Sequence, residues 1–476
     1  MTTKPRKKIL FAAPECLPFA ATGGLGEVIG SLPPQLAKCP SYDVRVMMPL
    51  HSAIGDQYRS KMTFLGNFTV NLAWRKQYCG VYMLKQNRVT YYYIDNEYYY
   101  KRDQLYGELD DAERYAFFSR AVIETMKFLE FIPDVLHCHD WQTALIPIYL
   151  RHNDCFPDTK VAFTIHNIEY QGRYDFFLMS DVFGLPEQAR NDIEFDGCVN
   201  LMKGAIVCAH AVTTVSPSYA KELCDPYYAH GLSGIISEHS YKLCGILNGI
   251  DVVGYDGATD DVIAENFTPQ DLEGKKACKS TLQELAGLEK KDDVAIIALI
   301  TRLVTHKGLD LAVEIADELM NDEVQLVVLG KGDAEYEQFF KDLAARYPGK
   351  ASALIMYDKA LSRKIYAGAD MFLMPSKSEP CGLSQMIASR YATVPIVRKT
   401  GGLGDSIKDC RAGEGNGYVF NEYDSGEMLS TIRDAEALYY DKKEDWNALA
   451  SHVMTVDFSW GRSAKDYMKL YKSLIG

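Results

Sequence analysis

ADMFLMPSKSEPCGLSQMIASRYATVPIVRKTGGLGD, residues 369–405, is the stretch that decides the fold. A short apolar strand, Met371 to Met374, breaks at Pro375 into a polar loop carrying Lys377, Glu379 and Pro380-Cys381. Gly382 leads into a helix from about Leu383 to Tyr391. A second strand runs from Val394 to Val397 and ends at Arg398. Thr400-Gly401-Gly402-Leu403-Gly404-Asp405 then prepares another helix. Strand, loop, helix, strand, Gly-rich loop and helix in this order predict a βαβα unit. Such units carry ligand groups at the carboxyl ends of their strands, so Glu379 and the Gly-rich loop are expected to line one crevice. The same loop occurs earlier in the chain, as TGGLGE at Thr22 to Glu27.

Outward from this stretch, the alternation continues in both directions. Towards the N-terminus, strands are predicted near Ala353 to Met356, Gln325 to Leu329 and Val294 to Ile300. An acidic, irregular stretch precedes them, and the turn signature Asn248-Gly249-Ile250-Asp251 places a hinge there. An earlier series has strands at Lys8 to Ala13, Asp43 to Met48, Val135 to Cys138, Val161 to Ile165 and Ala211 to Val215. Asp111 to Phe131 reads as a long amphipathic helix. Met62 to Tyr93 alternates without helical period and predicts antiparallel hairpins inserted in the first domain. The aromatic run Tyr91 to Tyr100 reads either as strand tyrosines or as platforms for sugar rings. Two βα series predict two Rossmann-like, doubly wound α/β domains facing across a cleft, residues 1–247 and 248–455. A last helix over 456–476, from about Trp460 to Leu474, follows.

Composition narrows the function classes. The chain has 476 residues, 47% apolar and 24% charged, with a formal net charge of −13. That length calls for more than one domain. That charge argues against a nucleic-acid partner but leaves room for a phosphate-bearing small molecule. Twelve cysteines without a CxxC pair read as reduced thiols of a cytoplasmic protein. The apolar run near the start is cut by Pro14, and no signal peptide or membrane span is predicted.

A doubled Gly-rich loop invites a dinucleotide fingerprint, but Ile29 stands where GxGxxG begun at Gly24 needs glycine. The second strand ends at Met48-Pro49 with no acidic residue to hold a ribose hydroxyl. Gly23 and Gly24 either let backbone N–H groups approach an anion or simply make a tight strand-to-helix turn. Arg302 and Lys307 follow the strand ending at Ile300. A guanidinium fork and an ammonium there suit a diphosphate, with ordinary surface charge as the alternative. Pro380 to Leu383 adds N–H groups at a helix start. Glu379, acceptor-only, suits neutral hydroxyls or developing positive charge. His137-Cys138-His139-Asp140-Trp141 lacks a second Cys/His pair at metal-site spacing. Asp140 and Trp141 suit a sugar site better. His166, at the next strand's end, reads as a core histidine or as a polar group of that same edge.

At this point the residues carry a family resemblance. The chain resembles the bacterial and plant glycogen and starch synthases, glycosyltransferases of family 5 with the GT-B fold. The resemblance rests on TGGLGEV at 22–28, DAERYAFFSR at 111–120, HCHDWQ at 137–142, TIHNIEYQG at 164–172 and TTVSPSYA at 213–220. It continues through LNGID at 247–251, TRLVTHKGLDL at 301–311, PSKSEPCGLSQ at 375–385, RKTGGLGD at 398–405 and DFSW at 457–460. It implies transfer of glucose, with retention, from a nucleoside diphosphate glucose to the non-reducing end of an α-1,4-glucan. The implied donor is ADP-glucose or UDP-glucose, with ADP-glucose favoured.

By the same resemblance, Arg302 and Lys307 clamp the diphosphate, Glu379 orients the glucose, and His166 contacts it. Gly23, Gly24, Cys381, Gly382, Leu383, Ser384, Thr400, Gly401 and Gly402 cradle the donor. Asn248 and Tyr357 shape the nucleoside pocket, while Asp140 and Trp141 serve the acceptor. No metal or cofactor is implied, the last helix crosses back to the first domain, and the domains close on the donor. A glucan-binding or priming relative with weakened turnover is the alternative. One departure stands out: the family begins its first loop KTGGL, and here the Lys position is Ala21. Losing a charge-assisted contact to phosphate costs about 1.5–3 kcal/mol, roughly 10- to 200-fold in rate when the contact acts in the transition state. Lys203 and Arg173 are the candidate substitutes. Glu27 for the more usual Asp and His306 for the more usual Gln are milder departures.

Overall fold

Apolar strands followed by amphipathic helices build two α/β units. The computed structural model describes residues 5–153 and 155–476. One unit comprises Met1–Asn248 with Trp460–Gly476, the other Gly249–Ser459.

The first unit holds a nine-stranded sheet. Its strands are β1 (Lys7–Ala12), β2 (Tyr42–Pro49), β3 (Thr63–Leu72), β4 (Arg75–Gln86), β5 (Val89–Asp95), β6 (Val135–His139) and β7 (Lys160–Ile165). Short strands β8 (Arg173–Tyr174), β9 (Glu194–Phe195) and β10 (Cys198–Asn200) form a separate small sheet. The large sheet ends with β11 (Ala211–Thr214) and β12 (Leu243–Gly245), in the order β12-β11-β7-β6-β1-β2-β5-β4-β3. The strands from β12 to β5 pair in parallel, and β1 lies between β2 and β6. The chain therefore reverses its direction of winding at β1. The carboxyl ends of β1 and β6 flank that switch point, where an α/β sheet opens a crevice.

The region predicted as inserted hairpins continues this same sheet. β3 and β4 pair antiparallel, as do β4 and β5, but β5 joins β2 in parallel register, Val46 beside Tyr91. Seating β5 inside the sheet buries Tyr91, Tyr92 and Tyr93, and Tyr99 and Tyr100 are buried as well. Tyrosine packing thus accounts for most of the aromatic run; Tyr98 alone among these is exposed. The helix Trp460–Ile475 packs against the helix Gly24–Leu36, burying Trp460, Ala464, Tyr467 and Tyr471. Its spacing of apolar residues presents one stripe to the core of this unit.

The second unit is a six-stranded, all-parallel sheet. Its strands are β13 (Ala295–Ile300), β14 (Val324–Leu329), β15 (Ala351–Leu354), β16 (Met371–Met374), β17 (Val394–Arg398) and β18 (Tyr418–Phe420). They lie in the order β15-β14-β13-β16-β17-β18. The winding reverses at β13, so the loops after β13 and β16 share the switch point. β15 begins two residues before its expected start because its pairing with β14 sets Ala351 beside Leu326, directly after Gly349-Lys350. All twelve cysteines are free. No helix among the described residues is long and apolar enough to cross a membrane.

Candidate functional site

In the second unit, the loop after β13 carries Arg302 and then the 3₁₀ turn Thr305–Lys307. Gly308 follows at φ 73°, and a Cβ there would lie 2.0 Å from the Pro375 carbonyl oxygen. Only glycine lets this turn approach the end of β16 so closely. The approach puts Lys307 Nζ 2.6 Å from Glu379 Oε2, with Ser376 Oγ donating to the same oxygen at 3.2 Å. The Lys377 N–H donates to the His306 carbonyl at 3.0 Å, tying the two loops a second time. Arg398, ending β17, donates to the Lys377 carbonyl at 2.8 Å and lies over the Tyr423 ring. The Tyr423 hydroxyl in turn donates to Asp310, in the first turn of the helix Leu309–Leu319.

The second Gly-rich loop meets Glu379 through its backbone. Gly401 has φ 41°, and a Cβ there would lie 2.0 Å from the Glu379 carbonyl oxygen. The Gly402 N–H donates to that carbonyl at 3.1 Å. Thr400 is buried at the start of the helix Gly401–Ser406. Cys381 and Gly382 precede the helix Ser384–Arg390, whose N-cap is Leu383. Lys307, Glu379, Thr400, Gly401, Gly402 and the 381–384 segment therefore form one neighbourhood. Arg302 is exposed, and its guanidinium has no partner among the described residues. Tyr357, beyond β15, is 88% exposed.

In the first unit, the loop after β1 is organised by a residue that sequence reasoning missed. Glu15 is buried and accepts hydrogen bonds from Thr22 N at 2.6 Å, Thr22 Oγ1 at 2.8 Å and Gly26 N at 2.9 Å. Burial raises its pKa, and hydrogen bonds from Thr22, Gly26 and Tyr106 oppose that rise. One carboxylate thus shapes the turn carrying Gly23 and Gly24 and anchors the start of the helix Gly24–Leu36. Gly23 and Gly24 themselves are exposed. Neither suggested replacement for the missing Lys is idle: Lys203 Nζ donates to the Asn191 carbonyl at 2.7 Å, and Arg173 pairs with Asp196 at 3.1 Å.

At the end of β6, Asp140 adopts φ 55° and ψ −179°, a conformation that strains a non-glycine residue. Its carboxylate compensates by accepting the His166 N–H at 2.7 Å. Burial pushes its pKa up to about 7, against the lowering effect of the His166 and Asn167 N–H groups. Trp141 packs between the ring edges of Tyr115 and Tyr174, at 5.4 and 6.0 Å, which gives the indole a packing role. His166 Nε2 lies 3.0 Å from His139 Nδ1. His137 is bound through both ring nitrogens, to Tyr471 OH at 2.7 Å and Thr164 Oγ1 at 2.6 Å. That leaves His137 no lone pair for a metal. Burial lowers the pKa of His137 and of His166 to about 3. Asn248, at the end of this unit's main segment, is 6% exposed, and its Oδ1 is unpartnered among the described residues.

One group among the described residues has metal-ligating atoms close together: His152, Asp192 and Cys208, within 4.8 Å of one another. His152 Nε2 meets Asp192 Oδ2 at 2.8 Å, and Arg151 pairs with the same oxygen at 3.3 Å. Lys242 exerts a further positive field on Cys208. Cationic neighbours already balance this cluster, which ties three helices together.

Two family models match the chain: the starch synthase catalytic domain over residues 8–238 and glycosyl transferases group 1 over residues 282–452. A glycogen synthase of Geobacillus thermodenitrificans is 45% identical, the match covering 98% of each chain. The chain belongs to the glycogen and starch synthase family. A glycogen synthase of Alkaliphilus metalliredigens is 43% identical over 98% of this chain and 100% of that one. The catalytic domain of starch synthase IV from Arabidopsis thaliana, bound to ADP and acarbose, superimposes with a TM-score of 0.91. It is 32% identical, with 99% of this chain and 100% of that chain covered. As a glycogen and starch synthase family member, the protein is a glucosyltransferase with the two α/β domains of the GT-B fold. Glu15 escaped the sequence reading because it belongs to no glycine- or charge-rich signature. Its nearest signal is a carboxylate placed just after a buried strand and just before a Gly-rich turn.

Proposed function

We propose that the protein transfers glucose from ADP-glucose to the non-reducing end of an α-1,4-glucan, with retention of configuration. The observation that carries this reading is the cationic pair at the end of β13, set beside Glu379. Arg302 offers a guanidinium fork with no partner among the described residues, and Lys307 is held 2.6 Å from the carboxylate. In the proposed roles Arg302 and Lys307 bind the diphosphate and stabilise the leaving group. Glu379 positions the glucose and balances the oxocarbenium-like charge. Backbone N–H groups of the 381–384 and 400–402 segments supplement them. Asn248 and Tyr357 border the nucleoside, His166 contacts the glucose, and Asp140 and Trp141 support the acceptor side. A relative bound to ADP supports an adenine nucleotide donor.

The mechanism follows from charge placement. Departure of the nucleoside diphosphate is assisted by fixed cations, so no separate acid is needed to break the C1–O bond. The acceptor hydroxyl then attacks C1 on the same face, within an ion-pair-like state, and gives its proton to an oxygen of the departing diphosphate, which accounts for retention. The test incubates the protein with a maltooligosaccharide and either ADP-glucose or UDP-glucose, following nucleotide release and chain growth. Extension with ADP-glucose faster than with UDP-glucose is the expected result. Failure of extension with both donors overturns the reading.

A further inference from the structure

His139 lies at the end of β6 and His166 just beyond the end of β7, neighbouring parallel strands. Their rings meet through His139 Nδ1 and His166 Nε2 at 3.0 Å. Two neutral imidazoles can share this contact in only two ways, because one nitrogen must donate and the other accept. The remaining nitrogens decide between them. His139 Nε2 is buried and has no partner among the described residues. If His166 Nε2–H were the donor, His139 would carry its own proton on Nε2, as a buried orphan N–H. If His139 Nδ1–H is the donor, Nε2 is only an unused lone pair. Buried orphan donors are the rarer and costlier of the two.

We infer that His139 is a positioning residue that fixes His166 as the tautomer protonated on Nδ1, so that His166 offers its ligand a hydrogen-bond donor. His166 Nδ1 has no partner among the described residues and is not among the buried unpartnered atoms. It is the nitrogen left to meet an acceptor oxygen, such as that of a sugar hydroxyl. Packing restrains the His139 ring in this role. It stacks on Phe11 at 5.7 Å and contacts His137 with ring centroids 4.2 Å apart. Burial keeps both rings neutral at ordinary pH, lowering His166 to about 3 and His139 well below its usual value. The ligand half of this inference rests on the proposed contact between His166 and the glucose. The tautomer half stands on the protein alone.

The full-length protein labelled with ¹⁵N-histidine distinguishes the tautomers, since protonated and unprotonated ring nitrogens resonate far apart. His166 signals are assigned by their loss in His166→Gln. The expected spectrum shows Nδ1 of His166 protonated and Nε2 bare; the reverse overturns the inference without any further variant. In His139→Ala, which removes the donor and leaves room for a water that can accept, His166 is expected to shift towards the Nε2–H form. His139→Asn, whose amide N–H takes the place of Nδ1–H, is expected to restore the wild-type pattern. An unchanged His166 tautomer in His139→Ala overturns the role of His139. Turnover is expected to fall about tenfold in His139→Ala and recover in His139→Asn. A changed tautomer with unchanged turnover overturns the ligand half and leaves the tautomer half standing.

Discussion

Lys307 Nζ stands 2.6 Å from Glu379 Oε2, and the two side chains retain only 15% and 9% of their surface. They come from the loops that follow β13 and β16, on either side of the switch point. Removing one partner of so desolvated a pair strands the other, at a cost of about 3–5 kcal/mol when the survivor is fully buried. Lys307→Met is therefore expected to lower the thermal midpoint more than the double variant Lys307→Met/Glu379→Gln does. A double-mutant cycle is expected to give a favourable coupling of about 0.5–3 kcal/mol. Strict additivity in the unfolding curves would show that the two side chains do not act as a pair.

Arg302 presents the opposite case, since it is exposed and has no partner among the described residues while sharing the loop after β13 with Lys307. Arg302→Ala is expected to leave the melting temperature nearly unchanged, as surface truncations usually stay within about 0.5 kcal/mol. Turnover should fall roughly 10- to 200-fold, from loss of a charged hydrogen bond worth about 1.5–3 kcal/mol in the transition state. Steady-state kinetics with a nucleotide sugar, beside a melting curve, separate the two effects. An unchanged kcat/KM would remove Arg302 from the proposed diphosphate site.

The contrast between these residues marks what sequence could and could not convey. Glu379 and the Thr400–Asp405 loop were legible as neighbours because strand ends and glycines are local signals, and the Gly402 N–H does reach the Glu379 carbonyl. That Lys307 would pair with Glu379 was not legible. It depends on Gly308 seating its turn against Pro375. Glu15 was invisible for a similar reason, because its three donors lie on a turn whose path only the fold determines. The His139–His166 contact required knowing that β6 and β7 are adjacent, which the order of strands along the chain does not dictate. The tyrosines of 91–93 were ambiguous because residue type alone cannot tell a ring packed in a buried strand from one that offers its face to a sugar.

Asp140 makes a pH prediction with a definite sign. Its carboxyl pKa rises from the ordinary 3.8 to about 7, mainly because burial disfavours the charge. The folded protein then binds more protons than the unfolded chain between those limits. Its contribution to stability is full below about pH 4 and is lost as pH rises through about 7. His137 and His166 act in the other direction, since their folded pKa values lie below 6.5 and their contribution is lost as pH falls towards about 3. Asp140→Asn keeps a side-chain oxygen for the His166 N–H but cannot ionise. Its melting temperature relative to wild type is expected to rise between pH 5 and pH 8. A constant difference across that range would refute the raised pKa.

Ala21 tests the departure from the family's first loop. Its Cβ occupies the space beside Gly26, where a Cβ on residue 26 would lie 2.3 Å away, so Gly26 is what leaves room for this turn. The adjacent Thr22, Gly23 and Gly24 are exposed, and nothing lies within 4 Å of a Cβ built on either glycine. A longer side chain at position 21 therefore has open surface beside it and no buried core to displace. Lys203 and Arg173, the candidate substitutes, are already engaged by the Asn191 carbonyl and by Asp196. Ala21→Lys is expected to raise kcat/KM for the nucleotide sugar by about 10-fold or more, the worth of one charge-assisted contact. Stability should change by no more than about 0.5 kcal/mol, as for other exposed substitutions. Kinetics with ADP-glucose and UDP-glucose read the effect and show which nucleotide gains more. An unaltered rate with both donors would mean that a cation at position 21 reaches no phosphate in this protein.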